Sequence, residues 1–350
     1  MTGTLERLES MVGERVRTVE GFTVEAGKVE EFARAVGDDD PVYRDPEVAR
    51  ERGFEAVPAP LTFARTTDFP RYRTDERIDL GFRPEHTLHG EQAYEYDRPL
   101  VVGDRLTGET AVVNAYEREG RRGGTMTFAA VETEFRDRSG ERVFVSRATA
   151  IETDGTVGDG SDGSDAEGRD AGDGTVDSDA VDGGDRGEDP EWSATDRATA
   201  EATAPTPVGT GDVSVGDRAP TVSLGPLDRR DFVRYAGASG DFNPIHYDEP
   251  YARAAGNPAV FGQGMFTAGV ATHAVGDWLG VGSVRSFDVR FRSRVWPGDT
   301  LTTSVEATDV EPVEEGERVV VELRVEREAG AGDGDDAGET VITGSAEAVV

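Results

Sequence analysis

Residues 264–279 read GMFTAGVATHAVGDWL, a run in which small and apolar side chains fill almost every position. Its pattern predicts a helix that is apolar around most of its circumference, and such a helix must be wrapped by something. The wrap follows directly. SVRSFDVRFRSRV (283–295), TLTTSVEATDV (300–310), RVVVELRVERE (318–328) and TVITGSAEAVV (340–350) each alternate at period two and are separated by turn residues. One antiparallel sheet curled round one central helix is the expected arrangement. Upstream, DRRDFVRYAGA (228–238) predicts a short amphipathic helix, with Asp228 at its N-cap and Phe232, Tyr235 and Ala236 on one face. A further helical turn or two is expected over 247–256.

The chain then proves to repeat itself. AVGDDDPVY (35–43) and ASGDFNPIH (238–246) share Gly, Asp and Pro at an offset of 203, and PLVVGDRL (99–106) matches RVWPGDTL (294–301) at an offset of 195. A longer loop in the first copy, around RYRTDERIDLGFRPEH (71–86), accounts for the difference. The first copy offers FARTTDF, TLHGEQAYEYDRPL, DRLTGETAVVNAYERE, TMTFAAVETEFRD and RVFVSRATAIET in the same coarse order. Two descendants of one ancestral unit are implied. The fold class is therefore α+β, two helix-in-sheet units in one chain, which is a double hot dog.

Between the copies lies TDGTVGDGSDGSDAEGRDAGDGTVDSDAVDGGDRGEDP, followed by an Ala/Thr-rich stretch ending in APTP. Low hydrophobicity and high like charge cannot offset the entropy of ordering. The boundaries expected are 1–152 for the first unit, 153–207 for an acidic disordered linker and 208–350 for the second unit. A smaller tract, GAGDGDDAG (330–338), reads as a hairpin insertion.

Across 350 residues, 71 Asp and Glu face 37 Lys and Arg, for a net charge of −34, and Lys28 is the only lysine. Such a charge repels nucleic acid and anionic lipid. Carboxylates spread along the whole chain, with Arg supplying nearly all the cations, fit a protein adapted to molar salt, where counter-ions screen self-repulsion within about 3 Å. The absence of cysteine excludes disulfides, a thiolate nucleophile and Cys-ligated metal. No stretch approaches the length of a membrane span and the N-terminus lacks signal-peptide order, so a cytoplasmic protein is expected.

Chemistry then falls to Asp, Glu, His, Ser or Tyr, and GDFNPIH (240–246) is where those types converge. Pro244 removes a backbone donor and keeps Asn243 out of the helical region, so Asp241 and His246 share a loop after the amphipathic helix. Two readings fit that spacing. The loop is an Asx turn in which Asp241 and Asn243 bond their own backbone while His246 packs, or the carboxylate and imidazole converge on one water.

The segment YAGASGDFNPIHYDEPYARAAG resembles the hydratase motif of MaoC-like dehydratases and (R)-specific enoyl-CoA hydratases, through Tyr235, Gly240, Asp241, Asn243, Pro244, His246 and Ala252. FGQGMFTAG (261–269) resembles that family's next landmark, and DDDPVY, VPAPLTF and HGEQAYEYDRPLVVGD resemble the degenerate dehydratase domain of the same superfamily. The resemblance implies a hydro-lyase that interconverts a trans-2-enoyl-CoA and an (R)-3-hydroxyacyl-CoA, as in fatty acid metabolism, with the CoA thioester as substrate and no cofactor. Asp241 and His246 would activate the water, their acid and base roles undivided. Gly264, at the start of the central helix, would supply a backbone oxyanion donor, with Gln263 standing where the family often carries His. Asn243 and Gly240 would shape the loop.

For the CoA phosphates the candidates are the alternating arginines, Arg292 and Arg294 above all, although a solvated strand face explains such a pattern equally. Tyr43 falls at the position of His246 and Asp40 at that of Asn243, leaving Asp38 without a base, so one site per chain is expected, with the first unit as pocket wall. His273 reads as a core or interface residue, and His86 and His89 lack a third ligand for a metal. A mesaconyl-CoA-type dicarboxylyl substrate is the narrower alternative, favoured by any cationic residue facing the acyl end. A thioesterase or a non-catalytic acyl-CoA-binding protein fits Asp241 and His246 less well. The two units form a pseudo-dimer, and further homo-oligomerisation is open.

Overall fold

The computed structural model describes residues 2–83, 86–119, 124–153, 213–314, 316–328 and 338–350. The acidic tract from 154 onward and most of the 330–338 insertion lie outside the described residues. In chain order the helices are α1 (Thr2–Ser10), α2 (Ala26–Ala35), α3 (Pro46–Glu51), α4 (Arg229–Ser239), α5 (Glu249–Ala254) and α6 (Gly264–Leu279). The strands of the first unit are β1 (Val16–Thr23), β2 (Thr87–Tyr96), β3 (Arg105–Glu119), β4 (Thr125–Arg136) and β5 (Arg142–Glu152). Those of the second are β6 (Val222–Leu224), β7 (Val284–Phe291), β8 (Thr300–Val313), β9 (Gly316–Glu328) and β10 (Glu339–Val349).

All ten strands join one antiparallel sheet in the order β1-β3-β4-β5-β2-β7-β10-β9-β8-β6. Read outward from the β2–β7 seam, the two halves have the same order, β2 answering to β7, β5 to β10, β4 to β9, β3 to β8 and β1 to β6. This is the double hot dog. At the seam Tyr94 lies opposite Phe287, both buried. Each large apolar side chain taken from water contributes about 2–3 kcal/mol, so neither unit can leave that edge open without loss.

The central helix α6 begins and ends where its sequence pattern placed it, and it is buried along its length. It rests on the second unit's strands on one side and on the first unit on the other. The approach is close: a Cβ at Gly269 would stand 2.4 Å from Val36 Cγ1. Only a glycine lets the two units meet there. The corresponding element of the first unit is shorter, a 3-10 helix over Leu61–Asp68. Its threonines explain the tight winding, because Thr66 Oγ1 donates to Phe63 O at 2.9 Å and Thr67 Oγ1 to Ala64 O at 2.8 Å, and Pro70 stops any continuation.

The helix α4 is held at its start by reciprocal bonds, Arg230 N to Asp228 Oδ1 at 2.7 Å and Asp228 N to Asp231 Oδ2 at 2.9 Å. Phe232, Tyr235 and Ala236 are buried, as its amphipathic pattern requires. Sequence periodicity did not reveal the short edge strands β1 and β6, which lie against β3 and β8. No described helix is long and apolar enough to cross a membrane.

Candidate active site

The loop after α4 begins with Gly240 at φ 85°, a left-handed C-cap that turns the chain out of the helix. Beside it a Cβ would meet the Phe69 ring of the first unit at 3.1 Å. Asp241 Oδ1 accepts from Asn243 N at 3.4 Å, and Asn243 Oδ1 accepts from Ile245 N at 3.2 Å, capping the 3-10 turn Pro244–His246. Asn243 is therefore an exposed loop-shaping residue. The Asx turn is real, and it uses one carboxylate oxygen of Asp241 while the other, Oδ2, faces Arg65.

His246 is buried and its orientation is fixed. Its Nδ1–H donates to the carbonyl oxygen of Phe261 at 2.8 Å, and because a carbonyl can only accept, Nε2 is the unprotonated nitrogen of the neutral ring. Burial pushes the imidazole pKa down, assisted by Arg65 and opposed by Asp241 and by the Phe261 carbonyl. Asp241 goes the same way for a different reason. Burial alone would raise its carboxyl, but Arg65, His246 and the Asn243 amide outweigh burial and hold it below the ordinary carboxylate range. At neutral pH the site thus presents an ionised carboxylate and a neutral base.

Arg65 comes from the first unit, on the 3-10 helix Leu61–Asp68, and its Nη2 stands 3.3 Å from Asp241 Oδ2. It also pairs with Asp68, while its Nε is buried without a partner. Arg73 adds positive charge beside Arg65, its pKa lowered by burial and by Arg65 and Arg77. Sequence reasoning missed Arg65. The available signal was a lone cation in the stretch APLTFARTTDF, whose other residues are small, apolar or threonine apart from Asp68. Tyr235, buried in α4, also feels Arg65 and Asp241, and its hydroxyl has no partner.

Gly264 opens α6, so its N–H is among the helix's first, which have no acceptor within the helix. A Cβ there would lie 3.1 Å from the Phe291 ring. Glycine is required for close packing at this end. Gln263 is fully buried at the N-cap, where its Nε2 donates to Phe232 O at 3.0 Å and its Oε1 has no partner. It fastens the start of α6 to α4.

Three of the remaining sequence candidates are placed differently. Arg292 has the same parity as Asp288 and Arg290, and all three line a cavity of about 890 Å³ on the sheet face that carries no helix residue. Strand alternation sends Arg292 to the face away from Asp241, where its Nε donates to Thr343 Oγ1 at 3.1 Å, so it does not line the Asp241–His246 site. Arg294 lies over the Phe261 ring at 5.0 Å and so braces the wall behind His246. Tyr43 is buried among Asp38, Asp40, Asp277 and Arg52 rather than beside Asp241, so it belongs to the other unit's counterpart of the site. His86 and His89 meet no third ligand, and no group of three or more potential metal ligands occurs among the described residues.

That counterpart is closed. The cavity beside Pro60 and Leu61 measures about 10 Å³, filled in by Tyr96 and Leu100. Asp38 nevertheless has an imidazole partner, His273 Nε2 at 3.3 Å, contributed by α6 of the second unit. Burial raises the Asp38 carboxyl, with His273 opposing. Asp277, one turn further along α6, is pushed up to about 6 by burial and by Asp38.

Comparison with known proteins bears on the two units and their fold. Residues 10–146 match the family model of a FAS1-like dehydratase domain region, and residues 212–329 match that of a MaoC-like domain. This chain is 34% identical over 136 residues to a UPF0336 protein of Streptomyces avermitilis, covering 39% of this chain and 87% of that protein. A UPF0336 protein of Clavibacter michiganensis is 38% identical over 135 residues, 85% of its length. Among solved structures, a MaoC-like dehydratase superposes with a TM-score of 0.70 at 26% identity, covering 98% of this chain and 99% of its own. A Mycobacterium tuberculosis protein described as having a double hotdog fold superposes with a TM-score of 0.62 at 16% identity over 97% of this chain and 96% of that one, a likeness of fold alone.

Proposed function

Because this chain belongs to the MaoC-like dehydratases, with a FAS1-like dehydratase region ahead of its MaoC-like domain, we propose that it reversibly hydrates a trans-2-enoyl-CoA to an (R)-3-hydroxyacyl-CoA. The observation that carries the reading is the fixed tautomer of His246. With Nδ1 committed to Phe261 O, Nε2 is a ready base beside the ionised Asp241.

In the forward direction a water oxygen bonds to Cβ of the enoyl group, the π pair moves toward the thioester carbonyl, and Cα takes up a proton. The water's proton passes to one member of the Asp241–His246 pair, and the other member, or the same one after exchange, returns a proton to Cα. Negative charge develops on the thioester oxygen. The N–H of Gly264, at the positive end of α6, is the donor this reading assigns to it. Arg65 keeps Asp241 ionised and oriented, so the first unit takes part in the site although its own counterpart is closed.

One observation favours a narrower substrate. Arg65 brings a cation with an unpartnered Nε to the site, and Arg73 lies within its field. A short dicarboxylyl thioester of the mesaconyl-CoA type would use that charge. A thioesterase fits less well, because the one carboxylate on α6 is Asp277, in the last turns of the helix and engaged with Asp38.

The test is a panel of enoyl-CoA thioesters, straight, branched and dicarboxylic, incubated with the full chain at high KCl and followed by loss of the conjugated thioester absorbance. Hydration of at least one member to the (R) product is expected. A chain that hydrates none of them, and instead releases free CoA, would overturn the reading in favour of a thioesterase.

A further inference from the structure

We propose that His89, contributed by the first unit, is a specificity-determining residue of this site, its imidazole contacting the bound acyl thioester alongside Phe291, next to the start of α6. The inference rests on the reading that the site takes an acyl thioester.

Strand alternation alone would point His89 the wrong way. In β2, Gly90, Gln92, Tyr94 and Tyr96 are the buried positions, so Glu91, Ala93, Glu95 and, by parity, His89 would belong to the outer face. The pairing with β5 shows what intervenes. His89 lies opposite Ala150 and Glu91 opposite Thr149, so Gly90 is an extra residue, a β-bulge that changes the side on which the chain beyond it projects. Gly90 is fixed by space. A Cβ there would be 2.5 Å from Ile151 Cδ1 and 3.0 Å from Ile151 Cγ1, so no other residue fits this bulge without displacing its neighbour.

The bulge brings His89 to the catalytic side. Its ring centroid is 4.9 Å from that of Phe291, the ring that closes over Gly264. Gly264, Phe291 and His89 therefore stand in a row across the boundary between the two units. Arg65 and Asp241 both act on the His89 imidazole, which places it within their field. The seam is also open here. Pairing between β2 and β7 runs from Glu95 with Ser286 only as far as Glu91 with Arg290, so the strands part at the bulge. His89 is exposed at this point of the strand and so is open to a ligand.

A residue so placed can do one kind of chemistry well. Burial and the neighbouring Arg65 push its pKa down to about 4, against the pull of Glu91, Asp241 and Gln92. It is therefore a neutral ring with one donor and one acceptor, flanked by an apolar phenyl group. That combination suits a thioester carrying a hydrogen-bonding atom near its reacting carbons, such as a hydroxyl, a carboxylate or the thioester carbonyl. Water is handled by Asp241 and His246, so the contribution of His89 falls on binding rather than on the chemical step.

The test uses the full chain at high KCl, with His89→Ala and His89→Gln, and butyryl-CoA as an unreactive probe. In the wild type, butyryl-CoA should shift the His89 ring signals in a histidine-selective ¹⁵N spectrum. His89→Ala should raise the KM of the hydrated thioester, and the Kd of butyryl-CoA, about tenfold, the scale of one lost hydrogen bond, with kcat kept within about threefold. His89→Gln, which keeps a donor and an acceptor, should recover most of the affinity. Unshifted His89 signals together with unchanged KM and Kd would overturn the inference. A wild type that hydrates no enoyl thioester would instead remove the hydratase reading, and the butyryl-CoA measurements would still decide the place of His89.

Discussion

Arg65 Nη2 stands 3.3 Å from Asp241 Oδ2, across 176 positions of sequence and across the boundary between the two units. The pair makes the site composite. Without the first unit, Asp241 would lose its principal counter-charge.

Replacing Arg65 by Met should therefore raise the pKa of both Asp241 and His246, because Arg65 lowers each of them. The acid limb of kcat/KM against pH should move upward, and kcat/KM at neutral pH should fall about tenfold, the usual scale for a lost charge-assisted hydrogen bond. Arg65→Lys should restore the charge and part of the rate. An unmoved acid limb in Arg65→Met would show that the pair has no electrostatic role.

The state of His246 can be read directly, since the chain has only four histidines. In ¹⁵N spectra it should remain neutral with Nδ1 protonated at pH 6.5, its pKa lying below the ordinary imidazole value. Asp241→Asn should lower that pKa further, because the carboxylate is the main influence raising it. A His246 that is cationic at pH 7 would contradict its assignment as a base.

Gly264→Ala tests the oxyanion donor and its packing together. The added Cβ would press on the Phe291 ring at 3.1 Å, and the start of α6 would have to shift away from the thioester. A fall in kcat of about 10² is expected, the cost of losing one oxyanion-hole donor, with circular dichroism unchanged. Full activity would move the donor elsewhere.

The closed counterpart makes a prediction about stability. Asp277 has its pKa pushed up to about 6 from the ordinary 3.8, so it binds its proton more tightly in the folded state. That contribution is complete at pH below about 4 and is lost as pH rises through about 6. Asp277→Asn should raise Tm by about 2–4 °C at pH 8 and leave it nearly unchanged at pH 4. Equal shifts at both pH values would exclude the titration of Asp277 as the cause.

Much of this was legible in the sequence, for physical reasons. The helix α6 announced itself because it is apolar on all sides, and the repeat of Gly-Asp-x-x-Pro announced two units. The loop at Asp241 and His246 was legible because Pro244 and Asn243 fix local geometry. What stayed hidden depends on contacts distant in sequence. Arg65 meets Asp241 only when the sheets join at the β2–β7 seam, and His89 reaches the site only through a bulge that reverses its parity. Arg292 is the opposite case. Its parity with Asp288 and Arg290 was visible in SFDVRFR, and it places the guanidinium on the outer face.

A net charge of −34 with a single lysine predicts salt dependence. Lowering KCl from molar to millimolar should loosen the fold, since screening then fails across the carboxylate-rich surface. Far-ultraviolet circular dichroism and the hydrodynamic radius report it. Identical values in dilute buffer would rule out adaptation to high salt.

The most direct test of the composite hydratase site is a mutant cycle on the hydration of the best enoyl-CoA, with Asp241→Asn, His246→Ala and the double variant. On the proposed mechanism both groups act on one water, so each single variant should lose most of kcat and the double variant should be little worse than either. Tyr43→Phe, buried in the other unit's closed counterpart, should retain near wild-type kcat. Single variants within a few fold of wild type, or losses that multiply in the double variant, would contradict the account.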